Sequence, residues 1–415
     1  MSGADVVITG LGATTPLGGD VASTWDALVD GRTGVGPLTA EWAEQYELPT
    51  RLAAELAVDP SEVLPRVQLR RLDRCQQIAI IAARQAWGDA GFEMPTEEHE
   101  AVDPDRVGVA LGSGIGGPVT LLQQDDLLET SGLRKVSPLT VPMLMPNGPA
   151  AHVGIDLRAR AGVHSPASAC ASGAEGLAKG WEMIRSGQAD VVVAGGAESC
   201  IYPITVAGFC QARTLSTRND EPERASRPFD AERDGFVLGE GAGVLVLERA
   251  EHAKARGARV HGRLAGVGIT SDAHHITGSH PDGLGQVRAM SEAVRSAGLT
   301  PDDIGHVNAH ATSTVVGDVG EAHAIRKALG DHPAVTAPKG ALGHLVGGAG
   351  AVESIATVLS LQEGRVPATR NLEQLDPKIE VDVVADKPRH VEHHAAVNNS
   401  FGFGGHNVAL AFATA

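Results

Sequence analysis

Apolar residues along this chain gather into short runs, many of them beside glycine: "DVVITGLG", "RVGVALGSGIGG", "DVVVAGGAES" and "GAGVLVLE", then "VHGRLAGVGITS", "IGHVNAHATST", "HHAAVNNSFGFGG" and "NVALAFATA". Runs of this length closed by turn residues predict buried strands. Between them lie stretches of helical period. "RLDRCQQIAIIAARQAW" is amphipathic and carries Cys75 as a packing residue, and after Cys170 the residues Leu177, Ala178, Trp181 and Ile184 share one stripe. Strands alternating with helices predict an α/β protein of mainly parallel sheets covered by helices.

The landmarks come in the same order twice. Each half reads strand, strand with glycine turn, turn into helix, strand with glycine turn, final strand. This repeat predicts a duplicated architecture with a first unit over 1–250 and a second over 251–415. The "EHAKARGARV" stretch joins them as helix and turn. A chain of 415 residues also exceeds the ~250–300 at which single cores stop growing. In open α/β sheets chemistry collects at the carboxyl ends of strands. A site between the halves, fed by turns from both, is therefore expected.

Composition narrows the function. No run reaches the ~18 apolar residues of a membrane helix, and "MSGADVVITGLG" lacks an export pattern, so a cytoplasmic location is expected. A net charge of −17 argues against nucleic acid as partner. Cys75, Cys170, Cys200 and Cys210 show no metal-finger spacing and are expected to be free thiols. The adjacent pairs His274-His275 and His393-His394 point in divergent directions, so no catalytic metal is expected. "GSGIGG" at 112–117 follows a strand, but no acidic residue stands at ribose-binding distance. Close packing of backbone is the better reading of that loop.

Cys170 in "SACASGAEGLAKGW" differs from the other cysteines. It opens a helix, where unpaired amides and the positive end of the helix dipole are expected to favour the thiolate. "NAHATST" places His310 just past a strand beside Thr312 and Thr314. "APKGALGHLVGGAGAVES" places Lys339 and His344 before a glycine-rich helix start, with Glu353 further along.

"SACASGAE", "NAHATST", "PKGALGH" and "SFGFGGHN", in this order, resemble the β-ketoacyl-acyl carrier protein synthases of the thiolase superfamily. The similarity is greatest to the type II elongating enzymes of actinobacteria and to the mycobacterial synthases of very long acyl chains. It runs from "VVITGLGATTPLG" to "NNSFGFGGHNVALAF", essentially the whole chain. The resemblance implies a thiolase-like fold, a duplicated αβαβα five-layered sandwich, and a homodimer. It also implies decarboxylative condensation of malonyl-carrier protein with a cysteine-bound acyl chain in fatty acid elongation. A ketosynthase of a polyketide or specialised-lipid pathway is the alternative.

Carried over by position, Cys170 is the acylated nucleophile, His310 and His344 the decarboxylation pair, and Lys339 and Glu353 their charged supports. Thr312 and Thr314 match the threonines that hold phosphopantetheine. Phe403, with Phe401 and Asp272 of "TSDAHH", matches the gate, and the amides of Phe403 and Cys170 match the oxyanion hole. Asn308, Glu353, Asn398 and Asn399 match a structural Na⁺ or K⁺ site; no cofactor is implied. The acyl carrier protein is acidic, and Arg66, Arg70, Arg71, Arg74 and Arg213 are its expected dock. Two positions depart from the family pattern: Ser313 stands for a glycine and Gly340 for a frequent serine.

Overall fold

A computed structural model describes residues 4–96 and 101–415; the first three residues of the opening stretch read above lie outside it. Its main sheet has eleven strands. They are β1 (Val6–Thr14), β2 (Val107–Gly112), β3 (Gly162–His164), β4 (Val191–Glu198), β5 (Gly241–Arg249), β6 (Gly262–Ser271), β7 (Ile304–Asn308), β8 (Ala334–Thr336), β9 (Asp382–Val383), β10 (Ala395–Gly402) and β11 (His406–Ala413). Across the sheet they run β9-β8-β7-β10-β11-β6-β1-β5-β4-β2-β3. In the first half the spatial order is first, fifth, fourth, second, third strand. The second half repeats it as β6-β11-β10-β7-β8, with β9 added outside. The halves meet where β1 pairs antiparallel with β6 through Val7–Arg263 and Ile8–Gly262.

The sheets are mixed rather than mainly parallel. β2, β3 and β4 pair in parallel, as do β7, β8 and β10, but β5 and β11 run antiparallel to their neighbours. β10 and β11 show why. They are joined through Phe403, Gly404 and Gly405, and so short a link permits only an antiparallel return. Apolar runs alone do not carry direction.

Five helices build the layers: α1 (Arg74–Asp89), α2 (Ser172–Arg185), α3 (Leu284–Ser296), α4 (Val315–Leu329) and α5 (Ala349–Glu363). α1 packs on β1, β5 and β4, and α3 packs on β6 and β11 with α4 beside it. α2 and α5 lie in the middle, touching each other and strands of both halves. One core cluster accordingly joins Leu177 and Ile184 of α2, Ile355 and Val358 of α5, Ile8 and Leu245 of the first half, and Leu410 and Phe412 of the second. Burying each such side chain contributes about 1.5–3 kcal/mol, which fixes the two central helices and the turns at their N-termini. Among the described residues no helix is long and apolar enough to cross a membrane.

Candidate active site

Cys170 sits in a single tight turn, Ala169–Ala171, that runs straight into α2. Ala169 holds a left-handed φ of +51°, a conformation that costs a non-glycine residue energy and recurs where a reactive group must be aimed. The turn is locked by Ser172, whose hydroxyl accepts from the Ser168 amide at 2.9 Å and donates to the Ala169 carbonyl at 2.7 Å. The thiol lies in an apolar wall with Ile115, Phe209, Phe236, Leu238 and Val346. Burial pushes it up to about 11, and the Glu198 carboxylate adds to that; Lys339 and the nearby backbone amides of Phe403 and Cys170 pull the other way. The helix start does supply amide donors, but desolvation outweighs them. The resting group is a thiol, not the thiolate expected from its place on the helix.

The two imidazoles follow from β7 and from the turn before α5. His310 leaves β7, and its amide and that of Ala311 donate to the buried Glu321 carboxylate at 2.8 and 2.7 Å. His344 is pinned by its own backbone, its amide to Val237 O and its carbonyl to the Gly239 amide. The rings meet edge to face with centroids 5.5 Å apart. Phe236 packs on His344 at 5.3 Å and Phe401 on His310 at 5.9 Å. Contacts thus run in a chain from Phe236, which shares an apolar cluster with Cys170, to His344, from His344 to His310, and from His310 to Phe401 on the strand that leads to Phe403. Burial holds both imidazoles well below their usual range, and the Lys339 charge adds to it. Each is therefore neutral at pH 7 and carries one N–H donor. Nδ1 of His310 and both ring nitrogens of His344 are buried without a protein partner, free for a ligand. Lys339 is buried and paired with Glu353; burial pushes that carboxyl up to about 7 against the pull of Lys339.

The mouth of the site is polar. The hydroxyls of Thr312 and Thr314 are 3.1 Å apart. Between them Ser313 adopts φ +71°, where glycine is at ease and serine is strained. Its hydroxyl compensates by accepting from the Arg227 amide at 3.0 Å. At Gly340 a Cβ would come within 2.8 Å of the Arg370 carbonyl oxygen, so this chain has no room for a serine there. Asp272 accepts from the Asn407 side chain and the His280 amide, while its own amide donates to Gly405 O. The "TSDAHH" segment therefore lies directly on the turn that bears Phe403.

The models of two families described as "Beta-ketoacyl synthase, N-terminal domain" and "Beta-ketoacyl synthase, C-terminal domain" match residues 4–253 and 261–373. The chain belongs to the beta-ketoacyl synthases. It is 47% identical over 409 residues to a 3-oxoacyl-[acyl-carrier-protein] synthase 2 of Mycobacterium bovis, covering 98% of this chain and 96% of that one. Among solved structures it resembles a beta-ketoacyl synthase of Burkholderia phymatum, with TM-score 0.91 and 36% identity over 99% of this chain and all of the other. A ketosynthase solved with its type II polyketide acyl-carrier protein has TM-score 0.90 and 28% identity, covering both chains fully.

For this beta-ketoacyl synthase one expected docking residue falls away. Arg74 is committed: its guanidinium grips the buried Glu240 at 2.9 and 2.7 Å and Asp59 at 2.8 Å. Arg66, Arg70, Arg71 and Arg213 are exposed. The four residues matched to a cation site present a compatible donor set. Asn308 Oδ1, Glu353 Oε2, Asn398 Oδ1 and Asn399 Oδ1 are all buried without a hydrogen-bond partner. Hard oxygens carrying at most one charge suit a monovalent ion. Among the described residues no group of three or more His, Cys, Asp or Glu could hold a metal.

Sequence reasoning missed two buried carboxylates, Glu321 behind His310 and Glu198, whose oxygens accept from the amides of Gly114, Ile115 and Gly116. The nest formed by the "GSGIGG" loop is thus already filled by an anion of the chain itself.

Proposed function

We propose that the protein is an elongating 3-oxoacyl-[acyl-carrier-protein] synthase, condensing malonyl-carrier protein with an acyl chain held on Cys170 in fatty acid synthesis in the cytoplasm. The observation that carries this reading is that Cys170 opens a helix beside Phe236, which packs on His344, while His344 meets a second neutral imidazole, His310, edge to face, with ring nitrogens of both buried and unpartnered. Identity separates the closest rival: the relative named 3-oxoacyl-[acyl-carrier-protein] synthase 2 stands at 47%, the polyketide ketosynthase at 28%.

In the first half-reaction the Cys170 sulfur adds to the acyl thioester carbonyl. The oxyanion is held by the Cys170 and Phe403 amides, the carrier leaves as its thiol, and the Cys170 proton goes with it. Each amide donor is worth about 3–4 kcal/mol in comparable sites. In the second, malonyl thioester loses CO2. The negative charge that appears on its thioester oxygen is met by N–H groups of His310 and His344, and the freed carbon attacks the acyl-cysteine. The new C–C bond yields a 3-oxoacyl thioester and returns the sulfur. Lys339 and Glu353 hold the charge balance behind the imidazoles. Thr312 and Thr314 receive the pantetheine amide, and Phe401, Phe403 and Asp272 form the gate. Asn308, Glu353, Asn398 and Asn399 would hold a structural Na⁺ or K⁺.

The units 1–250 and 251–415 each supply half of this site. The unpaired edge of β3, with exposed Val163 and Ile155 beside it, is the face that pairs two copies into a homodimer.

The test is direct. Purified protein mixed with acyl- and malonyl-carrier protein should release one CO2 per 3-oxoacyl product, followed by mass spectrometry across graded chain lengths; no product at any length sinks the proposal. Docking is separable from chemistry. Reversing Arg70 and Arg71 to Glu should lower kcat/KM for carrier-bound substrates about ten-fold at low salt while leaving kcat near wild type. Unchanged kinetics at low salt would remove these residues from the dock.

A further inference from the structure

Glu198 closes β4 with its side chain fully buried. Its two oxygens gather five donors from two separate turns. Ser113 Oγ, and the amides of Gly114, Ile115 and Gly116, come from the loop after β2 at 3.1, 2.7, 3.2 and 3.3 Å. The amide of Gly347 comes at 3.3 Å from the turn that follows His344 and starts α5. A third turn is in contact with this cluster: a methyl added to Gly114 would touch the Glu198 carboxylate at 2.8 Å and the Ala169 carbonyl oxygen at 3.2 Å. Ala169 is the residue whose left-handed backbone aims Cys170. Ile115 and Val346, carried by the two clamped turns, lie in the apolar wall around the sulfur.

Resting on the function above, we propose that Glu198 is a positioning residue of the condensation. Its carboxylate clamps the Ser113–Gly116 loop to the Gly347 turn and so fixes the floor under Cys170 against the backbone that carries His344. Five N–H and O–H donors aimed at two oxygens require an acceptor at both ends of the group, which a carboxylate supplies and an amide does not. Burial pushes the Glu198 carboxyl up to about 7 against the pull of these donors, so it is charged above that pH, where the thiol ionises, and the charge then also matters at the sulfur. Lys339 and Glu198 are the charged side chains whose fields reach Cys170, and Glu198 opposes ionisation there. Nothing in the proposed chemistry needs Glu198 to touch a substrate.

Glu198→Gln keeps the outline of the side chain but turns one end into a donor facing donors. In the full-length protein, kcat should fall at least about ten-fold, as misplacement of reacting groups does, with KM for malonyl-carrier protein within about two-fold. With the opposing charge gone, the pH midpoint for iodoacetamide alkylation of Cys170, followed by peptide mapping, should move to lower pH. Glu198→Asp retains the charge and should keep the alkylation midpoint of wild type while lowering kcat, because the shorter side chain cannot span both turns.

A folded Glu198→Gln with wild-type kcat and alkylation profile overturns the proposal. If that variant does not fold, wild-type kcat in Glu198→Asp overturns it instead. Alkylation needs no substrate, so the clamp stands or falls separately from the assigned reaction: wild-type protein that makes no 3-oxoacyl product undoes the function and leaves the alkylation comparison valid.

Discussion

Cys170→Ala should take up no acyl group from any acyl-carrier protein and should lose condensation by at least about 10⁴-fold, the scale seen when a nucleophile is removed from an intact site. It should still release CO2 from malonyl-carrier protein. The two half-reactions use different atoms. The sulfur and its two amides handle the acyl transfer, while the imidazoles face the malonyl oxygen with unpartnered nitrogens. Truncating the thiol removes a half-buried group from an apolar wall and leaves the Ser172 lock on the turn intact, so the fold should survive. Intact-mass spectrometry after mixing with acyl-carrier protein is the measurement: one adduct per wild-type chain and none in the variant. An adduct that persists in Cys170→Ala would place the nucleophile elsewhere, with Cys210 the first alternative to examine because it shares the wall.

How much of this was legible in the sequence differs by element. The alternation of apolar runs with helical stretches located eight of the eleven strands and the central helix after Cys170, because buried strands and one-faced helices have different periods; the short strands at 162–164, 334–336 and 382–383 are too brief to show a run. The doubled order of landmarks corresponds to a doubled strand order in space. Strand direction was not legible, since a buried strand has the same composition either way round; the turn at 403–405 decides it. Arg74 looked like its neighbours Arg70 and Arg71. What withdraws it is Glu240, far along the chain and buried, and no local pattern reveals that pairing. Glu198 and Glu321 were invisible for a related reason. An acidic residue reads as surface until its donors are known, and here the donors are backbone amides of distant turns.

The thiol is the most instructive difference. A helix start supplies donors that favour a thiolate, and the amides are indeed at the sulfur, but apolar walls remove water from the same spot. The two effects oppose each other and burial is larger. A site that must keep water from an acyl-enzyme and a carbanion accepts a less acidic nucleophile as a consequence of the same walls.

His310→Ala should load acyl groups onto Cys170 at close to the wild-type rate, yet decarboxylate malonyl-carrier protein about 10²–10³-fold more slowly, the loss expected for one donor to a developing oxyanion. His310 is not among the groups that act on the Cys170 thiol, and its turn is held through backbone donors to Glu321 that alanine retains. The pH dependence follows from the same geometry. Burial and Lys339 hold both imidazoles well below the usual histidine range. They stay neutral as pH falls through 6.5, the ordinary value, and protonate only in more acid solution. The imidazoles themselves should therefore give wild-type decarboxylation no inflection between pH 8 and 6, whereas a solvent-exposed histidine would give one near 6.5; a break near 7 would belong to the buried carboxyls of Glu353 and Glu321, which burial pushes up to about 7. Single-turnover decarboxylation of malonyl-carrier protein across that range reads it. A sigmoid centred near 6.5 that survives in Glu353→Gln and in Glu321→Gln would mean that water reaches the pair, and failure of His310→Ala to acylate at all would mean that this imidazole serves the sulfur rather than the enolate.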